Sequence, residues 1–377
     1  MMNAFTRRLA GLLLVALGLP PAAQAAVPQP THQFRLDNGL TVIVREDHRA
    51  PVVVSQLWYQ VGSSYERPGF TGLSHALEHM MFKGSSKLGP GESSRILREL
   101  GAEENAFTSD DYTAYYQVLA RDRLEVALEM EADRLAGLRL PADEFAREIE
   151  VIKEERRLRT EDNPASLAFE RFKTAAYPAT GYRNPTIGWM SDLERMSVDD
   201  LRAWHNDWYS PNNATLVVVG DVTADEVKTL AQRHFAAIPA RPLPAAKAPL
   251  ELPALGERRL TLRVKTQLPS LLMGFNVPGL ASSDNPREVH ALRLIAALLD
   301  GGYSARLSSR LEREQELVTG ASAWYNPFTR GDSLFVLSAR PNVQQGKTLE
   351  QVEAGLWQEL ETLKTQAPSA EELARVQ

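Results

Sequence analysis

The feature that most constrains this 377-residue chain is the segment 239–255, PARPLPAAKAPLELPAL, which carries five prolines and few residues able to build a core. Proline has no backbone N–H and fixes φ near −65°, so such a stretch neither continues a helix nor sits inside a sheet. It reads as a stiff, extended connector over 239–256. The chain is therefore expected to fold as two units, 26–238 and 257–377, each long enough to bury its own core.

Hydrophobic periodicity on both sides of the connector is that of strands mixed with helices. Ahead of it the pattern predicts strands over 41–44 and 52–61, then helices over 72–82 and 92–100. Strands over 103–108 and 113–119 follow about a turn at Ser109, Asp110 and Asp111, and then helices over 123–135 and 142–160. Ser197 with Asp200 and Thr223 with Glu226 look like helix starts on either side of a buried strand over 214–219. Beyond the connector the order begins again: strands over 259–264 and 271–277, helices over 286–299 and 304–314, strands over 317–325 and 333–339, and a helix over 348–363. The expectation is an α+β chain of two related α/β domains enclosing a cleft, each a mainly antiparallel sheet with helices packed on it. Ser369 with Glu372 opens one more helix just before Gln377, so the second domain is expected to be truncated.

Charge and targeting signals narrow the class further. With 42 Lys plus Arg against 48 Asp plus Glu, a formal net charge of −6, there is no basic footprint for nucleic acid. Residues 1–25 have the three parts of a secretory signal peptide: Arg7 and Arg8, an apolar run over 9–19, and small residues at Ala23 and Ala25. That run is too short for a stable membrane anchor, so the mature protein is expected in the periplasm or secreted. Cys is absent, so no disulfide supports either unit.

The strongest chemical signal is His75-Ala76-Leu77-Glu78-His79. On a helix His75 and His79 lie one turn apart, and Glu78, three residues from His75, shares their face. Two imidazoles and a carboxylate converging on one point suit a divalent transition metal with an open coordination position. Leu73, Leu77, Met80, Met81 and Phe82 would bury the rest of that helix, which argues against a solvated stripe of surface histidines. Such a helix supplies two ligands and a base, and the third ligand has to come from elsewhere.

Five segments in order, LDNGLTVIV at Leu36, HALEHMMFKG at His75, ENAFTSDDYTAYY at Glu104, REIEVIKEE at Arg147 and SPNNATLVVVGDV at Ser210, carry a resemblance that covers most of the mature chain. It resembles the inverted-motif zinc peptidases of the pitrilysin and insulin-degrading-enzyme superfamily, peptidase family M16, in the short-chain branch that includes the mitochondrial processing peptidase β subunit. The resemblance implies one Zn²⁺ per chain held by His75, His79 and Glu155, with Glu154 the rival if the register slips by one. It implies Glu78 as general base and Glu148 as the acid that orients a ligand. The activity it implies is a zinc metalloendopeptidase acting on peptides or unfolded segments, the alternative being a non-catalytic assembly or binding subunit. The strand with Asn105, Ala106 and Phe107 would take an extended substrate by main-chain hydrogen bonds.

In the second domain the resemblance implies a substrate-contacting Arg at Arg306 and a Tyr where this chain has Thr319. Either Tyr303 or Tyr325 replaces that hydroxyl, or a partner does. The expected assembly is a homodimer or a heterodimer with a zinc-less subunit of the same family.

Overall fold

The computed structural model describes residues 30–253 and 255–376, and the expected signal peptide, 1–25, lies outside them. The chain runs β1 (Thr31–Arg35), β2 (Thr41–Glu46), β3 (Val52–Tyr59), α1 (Leu73–Met80), α2 (Glu92–Glu99), β4 (Glu103–Thr108), β5 (Thr113–Ala120), α3 (Leu124–Gly137), α4 (Ala142–Arg156), α5 (Pro164–Ala176), α6 (Met190–Leu193), α7 (Val198–Trp208), β6 (Ala214–Gly220) and α8 (Ala224–Phe235). The second part holds β7 (Leu271–Val277), α9 (Pro286–Asp300), β8 (Val318–Tyr325), β9 (Ser333–Pro341), α10 (Leu349–Thr365) and α11 (Ala370–Val376).

The first six strands form one sheet in the order β1-β2-β6-β3-β5-β4, antiparallel except for the β2–β6 pair. Every second residue of β3 and β6 is buried, as period-2 strands with one covered face require. Val42, Val44, Val53, Leu57, Leu216 and Val218 meet Leu77 and Met80 of α1, Leu128 of α3, Leu201 of α7 and Leu230 of α8 in one core. The second sheet, β7-β9-β8, is wholly antiparallel and repeats the β3-β5-β4 order of the first. One of its faces sends Phe335, Leu337 and Ala339 against Leu299, Leu311, Val352 and Leu356.

The other face of the second sheet is covered by the first unit. Leu334 and Val336 pack with Tyr177, Tyr182 and Phe172, the last on α5. Gly274 of β7 makes this approach possible, because a Cβ there would stand 2.5 Å from the Phe172 ring. Arg330, between β8 and β9, adds a polar clasp. Its backbone N–H donates to Asp111 Oδ2 at 3.1 Å, its Nε donates to Ser64 Oγ at 3.1 Å, and its guanidinium lies 3.6 Å from the Tyr65 ring centroid.

Several elements differ from the pattern reading. β1 has no counterpart in the hydrophobic pattern, because THQFR lacks alternation; the strand is largely exposed and forms by pairing with β2. α5 was also unread, although Asn163 caps it through Ala165 and Ser166 and Pro164 sits at its first turn. The strand expected over 259–264 does not form: residues 255–270 contain neither helix nor strand, and Leu260 and Leu262 remain exposed with no sheet face to cover. The helix expected over 142–160 ends as an α-helix at Arg156 and passes into a π-helical turn over Arg157–Glu161. Among the described residues no helix is long and apolar enough to cross a membrane.

Gly274→Val would force a branched side chain into the Phe172 ring. The expected cost is about 1–3 kcal/mol, read from urea denaturation of the whole chain.

Candidate metal centre

The helix that carries the HxxEH motif is short, and its start is anchored by two acids outside it, Glu66 and Asp192. Gly72 precedes α1 at φ +91°, where a Cβ would meet the Ile187 carbonyl oxygen at 2.7 Å. Glycine cannot cap with a side chain, and the buried Glu66 does so instead. Its two oxygens accept from the backbone N–H groups of Gly72 and Ser74, each at 2.7 Å. Burial still dominates and pushes the Glu66 carboxyl up to about 8, against the opposing effect of those two bonds. Thr71 adds a second anchor, its Oγ1 donating to Asp192 Oδ2 at 2.6 Å while accepting from the Trp189 N–H at 2.9 Å.

From that start, Leu73, Ala76, Leu77 and Met80 face the core, and His75, Glu78 and His79 are left on the side that meets α4. Glu155 Oε2 of α4 lies 3.7 Å from His75 Nε2 and 3.5 Å from His79 Nε2. All three ligand atoms lie within 4.8 Å of one another. These separations are long for hydrogen bonds but close to what three ligands about 2 Å from one ion require. Glu155, rather than Glu154, completes the cluster, since Glu154 turns away to pair with Arg157.

The surroundings set each group's state. His79 Nδ1 is 2.9 Å from Glu148 Oε1, and with Nδ1–H donating there the Nε2 lone pair faces Glu155. Glu148 also pairs with Lys83, one turn beyond His79. Burial raises the Glu148 carboxyl, but Lys83 and His79 more than offset this and hold it below the ordinary range. Burial lowers His75 to about 3, reinforced by His79 and Arg159, so it is neutral at physiological pH, as a metal ligand must be. Its contact with Glu155 is therefore not an ion pair. Arg159, a turn after Glu155, takes Oε1 and leaves Oε2 to the imidazoles.

Glu78 stands at the edge of this cluster. Burial is the chief cause that raises its carboxyl above the ordinary range, opposed by a hydrogen bond in which the Thr108 hydroxyl donates to Oε2. Thr108 ends β4, the outermost strand of the first sheet, so the base and the sheet edge meet at one place. Asn105 and Phe107 share the opposite face of β4. Asn105 Oδ1 accepts from the Ala106 N–H at 2.9 Å, and the Phe107 ring packs against Trp58, Tyr112 and Tyr116. Ala106, on the Thr108 side, packs on the first core.

The second-unit residues are not gathered at this point. Arg306 was expected to face a substrate, but it is buried, with its Nε and a terminal nitrogen donating to Glu372 at 2.7 and 3.0 Å. A buried guanidinium needs such a partner, and the carboxylate of α11 supplies it. Thr319 is exposed on β8, Tyr325 donates its hydroxyl to the Pro278 carbonyl oxygen, and Tyr303 is exposed beneath the Arg313 guanidinium. Sequence reasoning missed Glu66, Asp192, Lys83, Thr108 and Arg159. Only Lys83 and Arg159 left a signal, each lying four residues after a candidate ligand.

Two family models match the chain: one described as insulinase (peptidase family M16) over residues 41–189, and one described as peptidase M16 inactive domain over 195–377. The zinc protease PqqE of Helicobacter pylori is 33% identical over 349 residues, spanning 90% of this chain and 77% of that protein. The crystal structure of a protease from Helicobacter pylori superposes with a TM-score of 0.85 at 30% identity, covering 92% of this chain and 83% of that one. The periplasmic protease PqqL of Escherichia coli shares the fold, with a TM-score of 0.72 at 21% identity over 93% of this chain and 40% of that one.

Replacing Glu148 by Gln removes the carboxylate that orients His79. Affinity for a divalent ion at the His75–His79–Glu155 cluster is expected to fall about 10–100-fold, measured by competition with a chromophoric chelator.

Proposed function

Since the chain belongs to peptidase family M16, we propose that it is a zinc-dependent endopeptidase that hydrolyses peptides or unfolded segments, with Glu78 as general base. The observation that carries this reading is the convergence of His75 Nε2, His79 Nε2 and Glu155 Oε2, beside a carboxylate that is not one of them. The donor set of two imidazoles and one carboxylate fits one zinc per chain and leaves a position open. When bound, zinc supplies Lewis acidity that polarises a peptide carbonyl and acidifies water.

The chain's own residues do the rest. Glu78 takes a proton from the attacking water as its oxygen bonds to the peptide carbon. It then delivers that proton to the leaving amine as the C–N bond breaks. Thr108 holds the Glu78 carboxylate by its hydroxyl bond and keeps it beside the β4 edge. An extended substrate added to β4, with Asn105, Ala106 and Phe107 along that strand, would pass within reach of Glu78. Main-chain recognition of this kind favours unfolded segments over a strict sequence.

A second reading is favoured by the second unit. Arg306 is committed to Glu372, and Thr319 has no phenolic hydroxyl, so substrate contacts from that side would come from a partner subunit. A homodimer or a heterodimer with a zinc-less subunit is accordingly part of the proposal, as is export to the periplasm by residues 1–25.

Glu78→Gln is expected to lower the cleavage rate of a quenched unstructured peptide by about 10²–10⁴-fold while zinc stays bound. Retained cleavage in that variant would sink the assignment. Thr108→Val removes a bond that favours the ionised base. Activity is lost as pH falls through the Glu78 pKa, so the acid limb of the kcat/KM profile is expected to move to higher pH.

A further inference from the structure

Metal affinity at a two-helix site depends on where the second helix stands relative to the first. Glu148 of α4, in contact with His79 and Lys83, ties the two helices on the ligand side, and other groups hold the far side of α4. Consecutive residues of an α-helix point about 100° apart, so while Glu155 faces α1, the next residue, Arg156, faces another side of α4. There Arg156 is buried, with only 3% of its surface exposed, at the last α-helical position before the π-helical turn. Its two terminal nitrogens donate to the two oxygens of Glu170 on α5, at 2.9 and 3.3 Å, and Glu170 is itself buried. Its guanidinium also lies 5.6 Å from the centroid of the Trp189 ring, and Arg171 approaches that ring at 5.5 Å. The Trp189 N–H is held by Thr71 Oγ1, next to the Gly72 that precedes α1.

We propose that Arg156 is the positioning residue of the metal site: clamped by Glu170 and laid on Trp189, it sets where Glu155 stands relative to His75 and His79. The path is continuous. From α1 it runs through Thr71 to Trp189, from Trp189 to Arg156, and from Arg156 one residue back to Glu155. The α1–α4 contact closes the loop directly. Arginine suits the task because its planar fork engages a carboxylate with two bonds while its face lies on an aromatic ring, and lysine can make only point contacts. Arg156 Nε also lies 3.3 Å from Glu161, and a buried pair of this kind is a weak source of stability after desolvation. The inference rests on the zinc reading above.

The test uses the full-length chain with zinc affinity by chelator competition, the visible absorption of the cobalt-substituted protein, and thermal unfolding of the metal-free form. Arg156→Lys and Glu170→Gln should each weaken zinc binding about tenfold and alter the cobalt bands, which report ligand geometry and not overall stability. Trp189→Leu, at a half-buried position, should weaken zinc binding about threefold and keeps the test open if the first two variants fail to fold. Unchanged zinc affinity and unchanged cobalt bands in the folded variants, whatever happens to unfolding temperature, would overturn the proposal. A wild-type chain that takes up no zinc, or a His75→Ala variant that binds it undiminished, would instead overturn the metal reading beneath it.

Discussion

The packing of α4 against α1 is the constraint on which the rest of the molecule turns. A single helix can bring His75 and His79 to one point because four residues make about one turn, but it has no way to enclose an ion. The third atom, Glu155 Oε2, comes from a helix that begins more than sixty residues later. Between them the chain builds α2, two strands and α3. Those elements complete the outer edge of the first sheet, and β4 packs against α1. β4 belongs to that same edge, which is how Thr108 comes to hold Glu78.

The site concentrates polar groups that an apolar core would exclude, and the fold offsets the cost by pairing them. Glu66 and Asp192 satisfy the backbone and the hydroxyl at the start of α1, and Glu148 is shared by His79 and Lys83. Glu78 is held more sparsely than these. It has one hydroxyl donor, its carboxyl is raised by burial, and it is the group from which proton transfer is asked.

The second unit has a different part. Its sheet packs on α5 through Phe172, Leu334 and Val336, and Arg330 reaches across to Asp111 and Ser64. α5 is also the helix whose Glu170 holds Arg156. The second unit thus contacts the frame of the metal site without donating a ligand to the His75–His79–Glu155 cluster, among the described residues.

Much of this was legible in the residues. The HxxEH spacing placed three groups on one helix face, the apolar-rich runs of β3, β5 and β6 located the sheet, and the prolines over 239–255 marked a stretch whose described residues contain neither helix nor strand. These features are local: they follow from periods of 3.6 and 2 and from a missing N–H, and those hold wherever the segment lies in the fold. What tertiary structure alone decided was the partners. Nothing in the sequence says that Glu66 caps α1, that β1 joins an edge by pairing, that 259–264 finds no strand to pair with, or that Arg306 is turned to Glu372. Choosing among many acids and bases is settled by which surfaces meet when the core closes, and a charge brought out of water must then pair with whatever neighbour the packing supplies.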